Sequence, residues 1–426
     1  MSAPAPRPRA TRIAGLADQG AYALASFAQT ALYARLLPPE EFGLFAMVLS
    51  TALLAQMLQR CLVLLPMVVS LADHDRAGVR GWLRVNTGVL AAAMALLLLA
   101  AGALQFLGGA ARAAKELQRV LGLAALALAP VFLYEFVRRA LYAEQQHQRV
   151  PLQSGAYLLL QLGGVFVVTL AFGTALAAVL SLALANLAAA AVGAAGLDWR
   201  RRPQEMGARG LVARYRSDMS WSLAAAAPYA GYNTAMPLLV GLLSGPAAAG
   251  LFSATKLLLA PITTLIAAVD SVDKPKAARS LRQGGGAGLR GALLDTCRSL
   301  LLGGGPYLLL AALLHAQLLA WVLGPTLAAK AGPAWLWLLV GLLMLFGQPL
   351  ETGLLVLRRS RWSFWSRLAA LAACASVLWI LPPQLGHIAG VAAMLVGWLV
   401  STGVAVAMLR WALRDLPPSD CNADGE

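Results

Sequence analysis

Ionisable and hydrogen-bonding side chains occur inside long apolar stretches of this sequence. A charged side chain at the centre of a lipid bilayer costs about 2.5–3.5 kcal/mol on insertion scales, so it is expected to face a partner or an aqueous cavity. In the first apolar stretch, polar residues recur every three or four positions. They are Asp18, Tyr22, Ser26, Gln29 and Tyr33. This spacing places them on one helix face, which predicts either a cleft wall or polar packing between helices.

Two cations deep in other apolar stretches could hold an anion. Arg60 lies in the second stretch and Lys256 lies in the second half of the chain. Arginine offers two parallel N–H donors to an anion, and lysine offers a compact positive charge. Two alternatives stay open. Arg60 could form an ion pair with Asp18, and Lys256 could extend its ammonium group to the nearer membrane interface.

A third set of polar residues lies between two prolines of the second half. Tyr229 and Asn233 are one helical turn apart, between Pro228 and Pro237. Proline removes a backbone hydrogen bond from a helix. The pattern therefore predicts either carbonyl groups freed to meet a ligand or only a kinked packing of the helix.

Two carboxylates, Glu135 and Glu351, lie near the ends of apolar stretches. A carboxylate in partly apolar surroundings suits proton coupling, but Glu135 could instead form a local ion pair with Arg139, four residues later. No nucleotide-binding loop, serine-hydrolase motif or metal-ligand triad is found in the sequence. We therefore expect no enzyme activity, no cofactor and no metal site.

Composition indicates which elements carry these residues. Of the 426 residues, 59% are hydrophobic and 12% are charged, about half the charged share of a soluble domain. A soluble globule would lack the polar residues to cover its surface, so soluble nucleic-acid binders and disordered chains are excluded. The four cysteines show no disulfide or metal spacing, which excludes a secreted disulfide scaffold.

The apolar stretches are long enough to cross a bilayer, for which a helix needs about 20 residues. We therefore predict an all-α polytopic membrane protein with twelve transmembrane helices. The predicted spans are 13–36, 42–70, 84–108, 118–141, 151–172, 175–197, 218–243, 248–272, 292–316, 331–357, 363–381 and 387–411.

The distribution of Lys and Arg predicts the orientation of these spans. One set of loops carries 26 of these residues, with Arg138 and Arg367 among them, and the alternate set carries five, which predicts that both termini are cytoplasmic. The most polar stretch divides the spans into two groups of six. The predicted parts are an N-lobe over 1–197, a basic cytoplasmic linker over 198–217, a C-lobe over 218–411 and a cytoplasmic tail over 412–426.

The two halves share a weak internal repeat. Residues 39–45 (PEEFGLF) correspond to residues 246–252 (PAAAGLF) at an offset of 207, and Glu135 and Glu351 are 216 apart. The Leu–Gly pairs at 107–108 and 323–324 are also 216 apart. With an even number of spans per half, the repeats would be parallel, related by a pseudo-two-fold axis along the membrane normal. Two such lobes are typical of transporters with a site between the halves.

Several segments resemble a known family. Residues 34–45 (ARLLPPEEFGLF) resemble the first-hairpin signature of polysaccharide flippases, the exporters of O-antigen and exopolysaccharide. That family belongs to the superfamily that contains MATE multidrug extruders and lipid II flippases. Residues 245–254, 323–325 and 136–143 resemble three further parts of the family pattern. The resemblance implies a MATE-like fold of two six-helix lobes in the cell inner membrane.

The resemblance also implies a function. A polyprenyl-diphosphate-linked oligosaccharide would pass from the cytoplasmic to the periplasmic leaflet by alternating access, and glycan polymerase machinery and membrane lipids would be partners, without nucleic acid. We expect one substrate cavity, lined by Asp18, Tyr22, Ser26, Gln29, Arg60, Tyr229, Asn233 and Lys256. Glu135 and Glu351 are candidates for coupling. The alternatives are a cation-coupled drug or metabolite antiporter on the same fold and a polytopic glycan polymerase or ligase. Short predicted periplasmic loops disfavour the enzyme.

Overall fold

A computed structural model describes residues 8–72, 78–107, 112–199, 206–357 and 359–414. Within these residues the chain forms α-helices and short helical turns, and no strand. The helices are α1 Pro8–Leu36, α2 Pro39–Gln59, α3 Leu65–Ala72, α4 Val79–Leu107, α5 Arg112–Ala143, α6 Val150–Ala171, α7 Ala175–Ala194, α8 Ala208–Tyr229, α9 Met236–Ser244, α10 Pro246–Lys256, α11 Ala260–Leu323, α12 Pro325–Ala328, α13 Leu336–Val356, α14 Ser360–Ile380 and α15 His387–Arg414.

Ten helical stretches within the described residues are long and apolar enough to cross a membrane. One of them, Pro39–Leu71, joins α2 to α3 through a π-helical turn at Arg60–Leu64. Helices α1 and α8 are not among the ten, because polar and charged side chains interrupt their apolar sequence, and α9 is not, because it has only nine residues. The all-α membrane fold is confirmed, and the count of twelve spans stays a prediction.

The boundary between the eighth and ninth predicted spans is more helical than expected. Helix α11 runs from Ala260 to Leu323 and is interrupted at Gly284 and Gly285. Gly285 has a φ of 55°, a left-handed conformation that glycine adopts without steric cost. The predicted loop between residues 273 and 291 is therefore a pair of helix extensions that meet at this kink.

The chain forms two compact units. Unit 1 comprises Met1–Ala226 and Pro237–Ala254, and unit 2 comprises Ala227–Met236 and Thr255–Glu426. These bounds place most of α8 and all of the second repeated segment in unit 1. Parts of the sequence-based division lie outside the described residues: 200–205 of the linker, 415–426 of the tail and Gly108 of the repeat.

In unit 1, α5 packs against α2, α4 and α7, and α1 packs against α6. The core of this unit contains the fully buried side chains of Phe132, Phe136 and Val137 on α5. In unit 2, α13 packs against α11 and α15. Leu345 and Leu354 of α13 are fully buried in two hydrophobic clusters there. Apolar packing of this kind holds the polar side chains described below in fixed positions.

The two repeated segments meet inside unit 1. A Cβ atom on Gly43 would overlap the carbonyl oxygen of Pro246. A Cβ atom on Gly250 would lie 3.2 Å from Cα of Gly43 and 3.0 Å from the ring of Phe42. Gly43 and Gly250 are equivalent positions of the repeat, so α2 and α10 make backbone contact at their matching glycines.

The same repeated segment is fixed by Glu41. Its carboxylate accepts a hydrogen bond of 2.6 Å from the backbone N–H of Ala175 at the start of α7. The other oxygen is 3.4 Å from a guanidinium nitrogen of Arg119 on α5. Because unpaired N–H groups and the helix dipole favour a negative charge at a helix N-terminus, Glu41 ties α2 to α7 and α5.

Candidate substrate and coupling sites

Asp18 of α1 is fully buried and forms the centre of a polar cluster in unit 1. Its Oδ1 accepts hydrogen bonds from Arg138 Nε at 3.0 Å and Ser154 Oγ at 2.5 Å. Its Oδ2 accepts from Arg138 Nη2 at 2.7 Å and Tyr142 OH at 2.5 Å. The pairing with Arg138 is bidentate, the strongest common geometry between a guanidinium group and a carboxylate.

Glu135 extends this cluster along α5. Its Oε1 accepts from Arg138 Nη1 at 3.2 Å, and its Oε2 lies 3.5 Å from Nε of Arg139. The local pair of Glu135 with Arg139 is one of the two alternatives that the sequence left open. Two carboxylates and two guanidinium groups balance in charge, which is how a protein tolerates buried charges.

One tyrosine covers the buried guanidinium group and stacks on two others. The Cζ atom of Arg138 lies 4.7 Å from the ring centroid of Tyr22. Tyr22 stacks on Tyr134 and Tyr157, with centroid separations of 6.2 and 5.9 Å. Tyr134 OH lies 3.1 Å from Ser154 Oγ and is the donor, because the single hydroxyl hydrogen of Ser154 is directed to Asp18.

The partner of Asp18 differs from the sequence-based alternative. That alternative paired Asp18 with Arg60 and counted Arg138 among the cations of a cytoplasmic loop. Instead, Arg138 is 2% exposed and bonds to Asp18, whereas Arg60 is exposed at the start of the π-helical turn. The other members of the α1 stripe differ in environment, since Gln29 is buried and Ser26 is exposed.

Lys256 at the end of α10 lies in a second polar cluster, in unit 2. Its Nζ donates to the backbone carbonyl of Asn233 at 3.0 Å and to Asn233 Oδ1 at 3.4 Å. The side-chain amide of Asn233 donates to Tyr229 OH at 3.1 Å. The carbonyl is available because its α-helical donor would be residue 237, a proline without an N–H. A π-helical turn, Ala230–Thr234, occurs here.

Arg367 and Glu351 continue this cluster. The Nη2 and Nε atoms of Arg367 lie 2.7 and 3.3 Å from the two carboxylate oxygens of Glu351. The Cζ atom of Arg367 lies 5.2 Å from the ring centroid of Tyr229. A continuous path of polar contacts therefore runs from Glu351 through Arg367, Tyr229 and Asn233 to Lys256.

The two clusters use repeat-equivalent residues in different ways. Tyr22 and Tyr229 are 207 residues apart, the same offset as Gly43 and Gly250. The ring of Tyr22 covers Arg138, which bonds to Glu135. The ring of Tyr229 covers Arg367, which bonds to Glu351. In the first cluster the charges balance, and Asp18, Arg138 and Glu135 are buried. In the second, the side chains of Arg367 and Glu351 are 21% and 25% exposed, and two cations face one carboxylate.

Sequence reasoning missed the two arginines of these clusters. Arg138 and Arg367 were assigned to cytoplasmic loops because each lies near the end of a predicted span. A signal for Arg138 was available, since it follows Glu135 by three residues and a helix brings such residues together. Arg367 has no such local signal, because its partner Glu351 lies on α13.

The sequence of this chain matches the model of one protein family. The model of the family described as polysaccharide biosynthesis protein matches residues 15–272, more than half of the chain. The chain belongs to this family. No curated protein sequence was found to match this chain.

Solved structures show the fold. The lipid II flippase MurJ in an inward closed conformation is 10% identical, with 94% of this chain and 87% of MurJ covered and a TM-score of 0.68. A multidrug resistance MATE family transporter of the MOP superfamily is 15% identical, with coverage of 95% and 94% and a TM-score of 0.60. A MOP superfamily transporter from Pyrococcus furiosus is 15% identical, with coverage of 95% and 92% and a TM-score of 0.51.

These comparisons confirm the predicted family and the MATE-like, multi-pass membrane fold. The relatives are a flippase and transporters, and the expectation of a transporter rather than an enzyme agrees with them. The protein is therefore a member of the polysaccharide biosynthesis protein family with the fold of these flippase and MATE structures.

Proposed function

We propose that this protein moves a polyprenyl-diphosphate-linked oligosaccharide from the cytoplasmic to the periplasmic leaflet of the cell inner membrane, with both termini in the cytoplasm. The head group and sugars would pass through a polar cavity while the polyprenyl tail stays in the lipid. The family assignment and the fold support a transporter, and the 26-to-5 bias of basic residues supports the orientation.

The observation that carries the proposal is the charge around Lys256. Its ammonium group lies in a candidate membrane span, Pro246–Asp270, and contacts two oxygen atoms of Asn233. Within the described residues no carboxylate lies within ion-pair distance of it. A cation in an apolar span without a negative partner is costly, and a diphosphate group would supply the missing charge.

Arg60 would supply a second cation for the anionic head group during its passage. It is exposed, and its side chain forms no ion pair with the described residues. It begins a π-helical turn, and such turns occur often at functional sites. Ser26 and Tyr229 would line the passage beside these cations, with the remaining members of the predicted cavity set, Asp18, Tyr22, Gln29 and Asn233, supporting them.

For proton coupling, Glu351 fits better than Glu135. The carboxylate of Glu351 is partly exposed and bonds to Arg367. Arg367 is connected to Lys256 by the contacts through Tyr229 and Asn233. Glu135 is buried in a charge-balanced cluster. Binding of an anion near Lys256 would compete with Glu351 for Arg367.

The test is complementation of a flippase-null strain at matched membrane expression, with exported glycan measured on gels. Replacing both Arg60 and Lys256 with alanine removes two charge-assisted contacts of about 1.5–3 kcal/mol each, so each loss weakens substrate affinity about 10- to 100-fold. The Arg60→Lys variant keeps the charge but loses the bidentate geometry, so we expect partial export. Lys330→Ala, a lysine in a predicted periplasmic loop, is the matched control.

Full export by the Arg60→Ala, Lys256→Ala double variant would contradict the proposal. Transport of cationic dyes by the unmodified protein, without glycan export, would favour the antiporter alternative instead.

A further inference from the structure

Unit 1 contains an apolar groove that belongs to neither polar cluster. It has a volume of about 650 Å³ and lies between α2, α4 and α8. Leu58 of α2, Val89 and Leu96 of α4, and Val212 of α8 line it. All three helices belong to a membrane protein, so an apolar groove among them fits an acyl or isoprenoid chain rather than a water-soluble ligand.

Two arginines also line this groove. Arg84 lies near the start of α4, and Arg209 is the second residue of α8. Both side chains are exposed, and neither forms an ion pair within the described residues. Because both helices are predicted to begin at the cytoplasmic side, the two cations lie at one end of the groove, at the level of the inner head groups.

The length of the groove matches one acyl chain. From Arg84 to Leu96 the groove follows twelve residues of α4, or about 18 Å at the helical rise. Half of the hydrocarbon core of a bilayer is about 15 Å thick. Basic pockets between transmembrane helices on the cytoplasmic side are a known way to hold anionic lipid head groups.

We propose that the groove binds an anionic phospholipid of the cytoplasmic leaflet. The lipid phosphate would lie between Arg84 and Arg209, and one acyl chain would lie along α4. A lipid bound in this way would link the start of α8 to α4 and α2. The proposal rests on the predicted orientation and is independent of the transported substrate.

Native mass spectrometry of the full chain in detergent, with added phosphatidylglycerol or phosphatidylcholine, tests the site. We expect the protein to retain phosphatidylglycerol preferentially. The Arg84→Ala, Arg209→Ala double variant should weaken that binding about 10- to 30-fold, from the contribution of two arginines near an anionic lipid. The control is Arg80→Ala with Arg216→Ala, exposed arginines of the same two helices that do not line the groove. Equal loss in the control would overturn a specific site.

A second variant tests the acyl-chain part without changing any charge. No atom lies within 4 Å of a Cβ placed on Gly88, a residue that lines the groove. The Cβ atom of Gly88→Leu therefore has room, and the leucine side chain would occupy part of the groove and should displace the lipid. Gly102→Leu is the control, since Gly102 is equally unobstructed on α4 but lies outside the groove.

Three results would overturn the proposal. The first is undiminished phosphatidylglycerol binding by Gly88→Leu, and the second is equal retention of phosphatidylcholine by the unmodified protein. The third is displacement of phosphatidylglycerol by an equimolar polyprenyl phosphate, which would assign the groove to the transported lipid. Unchanged melting temperatures of the variants would show that their folding is intact.

Discussion

At the residue scale, Arg138 is expected to be the side chain on which unit 1 depends most. Its guanidinium group is the partner of both Asp18 and Glu135. Replacing it with alanine leaves the buried carboxylate of Asp18 without a cation and Glu135 with Arg139 alone, so we expect Arg138→Ala to lower the free energy of unfolding by about 3–5 kcal/mol. Thermal unfolding in detergent measures this loss.

The neighbouring arginine provides the control for that prediction. Arg139 is 38% exposed and contacts the same Glu135, so Arg139→Ala should cost no more than about 1 kcal/mol. Equal melting temperatures for the two variants would mean that the buried cluster does not stabilise the fold.

Sequence reasoning identified some of the site residues and missed others for a physical reason. A carboxylate such as Asp18 or a cation such as Lys256 stands out when its sequence neighbours are apolar. Arg138 and Arg367 lie near other basic residues at the ends of predicted spans. The bias of Lys and Arg towards cytoplasmic loops therefore explained their positions, and no role inside the membrane was considered for them. Only the hydrogen bonds of Arg138 to Asp18 of α1, and of Arg367 to Glu351 of α13, show that these two arginines point inward.

At the scale of elements, the contact of α2 with α10 gives a sharp prediction. Gly43→Ala places a methyl group on the carbonyl of Pro246, and a backbone carbonyl cannot move aside as a side chain can. Overpacking of this kind typically costs about 1–3 kcal/mol, so the melting temperature should fall.

A glycine with open surroundings separates this clash from general effects of the substitution. No atom lies within 4 Å of a Cβ on Gly20 of α1. Gly20→Ala should therefore be neutral or stabilise the helix by up to about 1 kcal/mol. A Gly43→Ala variant as stable as Gly20→Ala would show that the two helices are not held in contact.

The helices themselves were largely predictable, and their irregularities were not. Stretches of about 20 apolar residues predict spans whatever their neighbours are. The two prolines predicted the break near Asn233, but nothing in the sequence indicates the π-helical turn at Arg60–Leu64. The polar stretch after Asp273 predicted a loop, but the helix continues to Gly284. Hydropathy indicates whether a segment contacts lipid, and it does not indicate whether the segment is helical.

At the scale of the whole molecule, orientation in the membrane is the main expectation still to be tested. Glu40 and Ser244 line a single pocket of unit 1, so they should share one side of the membrane, and the charge bias predicts that side to be periplasmic. After the native cysteines are replaced, Glu40→Cys and Ser244→Cys should react with an impermeant maleimide in intact cells. Gly285→Cys should react only after permeabilisation.

Labelling of Gly285→Cys in intact cells would reverse the predicted topology. It would also move Arg84 and Arg209 to the periplasmic leaflet, so the phospholipid experiment and this one bear on the same assignment of sides.

The meeting of Gly43 with Gly250 has a consequence for the symmetry of the repeat. In a two-fold dimer of identical subunits, the residues that lie on the axis meet their own copies, and such an interface is isologous. Gly43 and Gly250 are the matching positions of two repeated segments, and their backbones touch. The contact between α2 and α10 joins equivalent segments, as in such a dimer, but its atoms are not related by two-fold symmetry, because Gly43 faces the carbonyl of Pro246 whereas Gly250 faces Phe42 and Gly43.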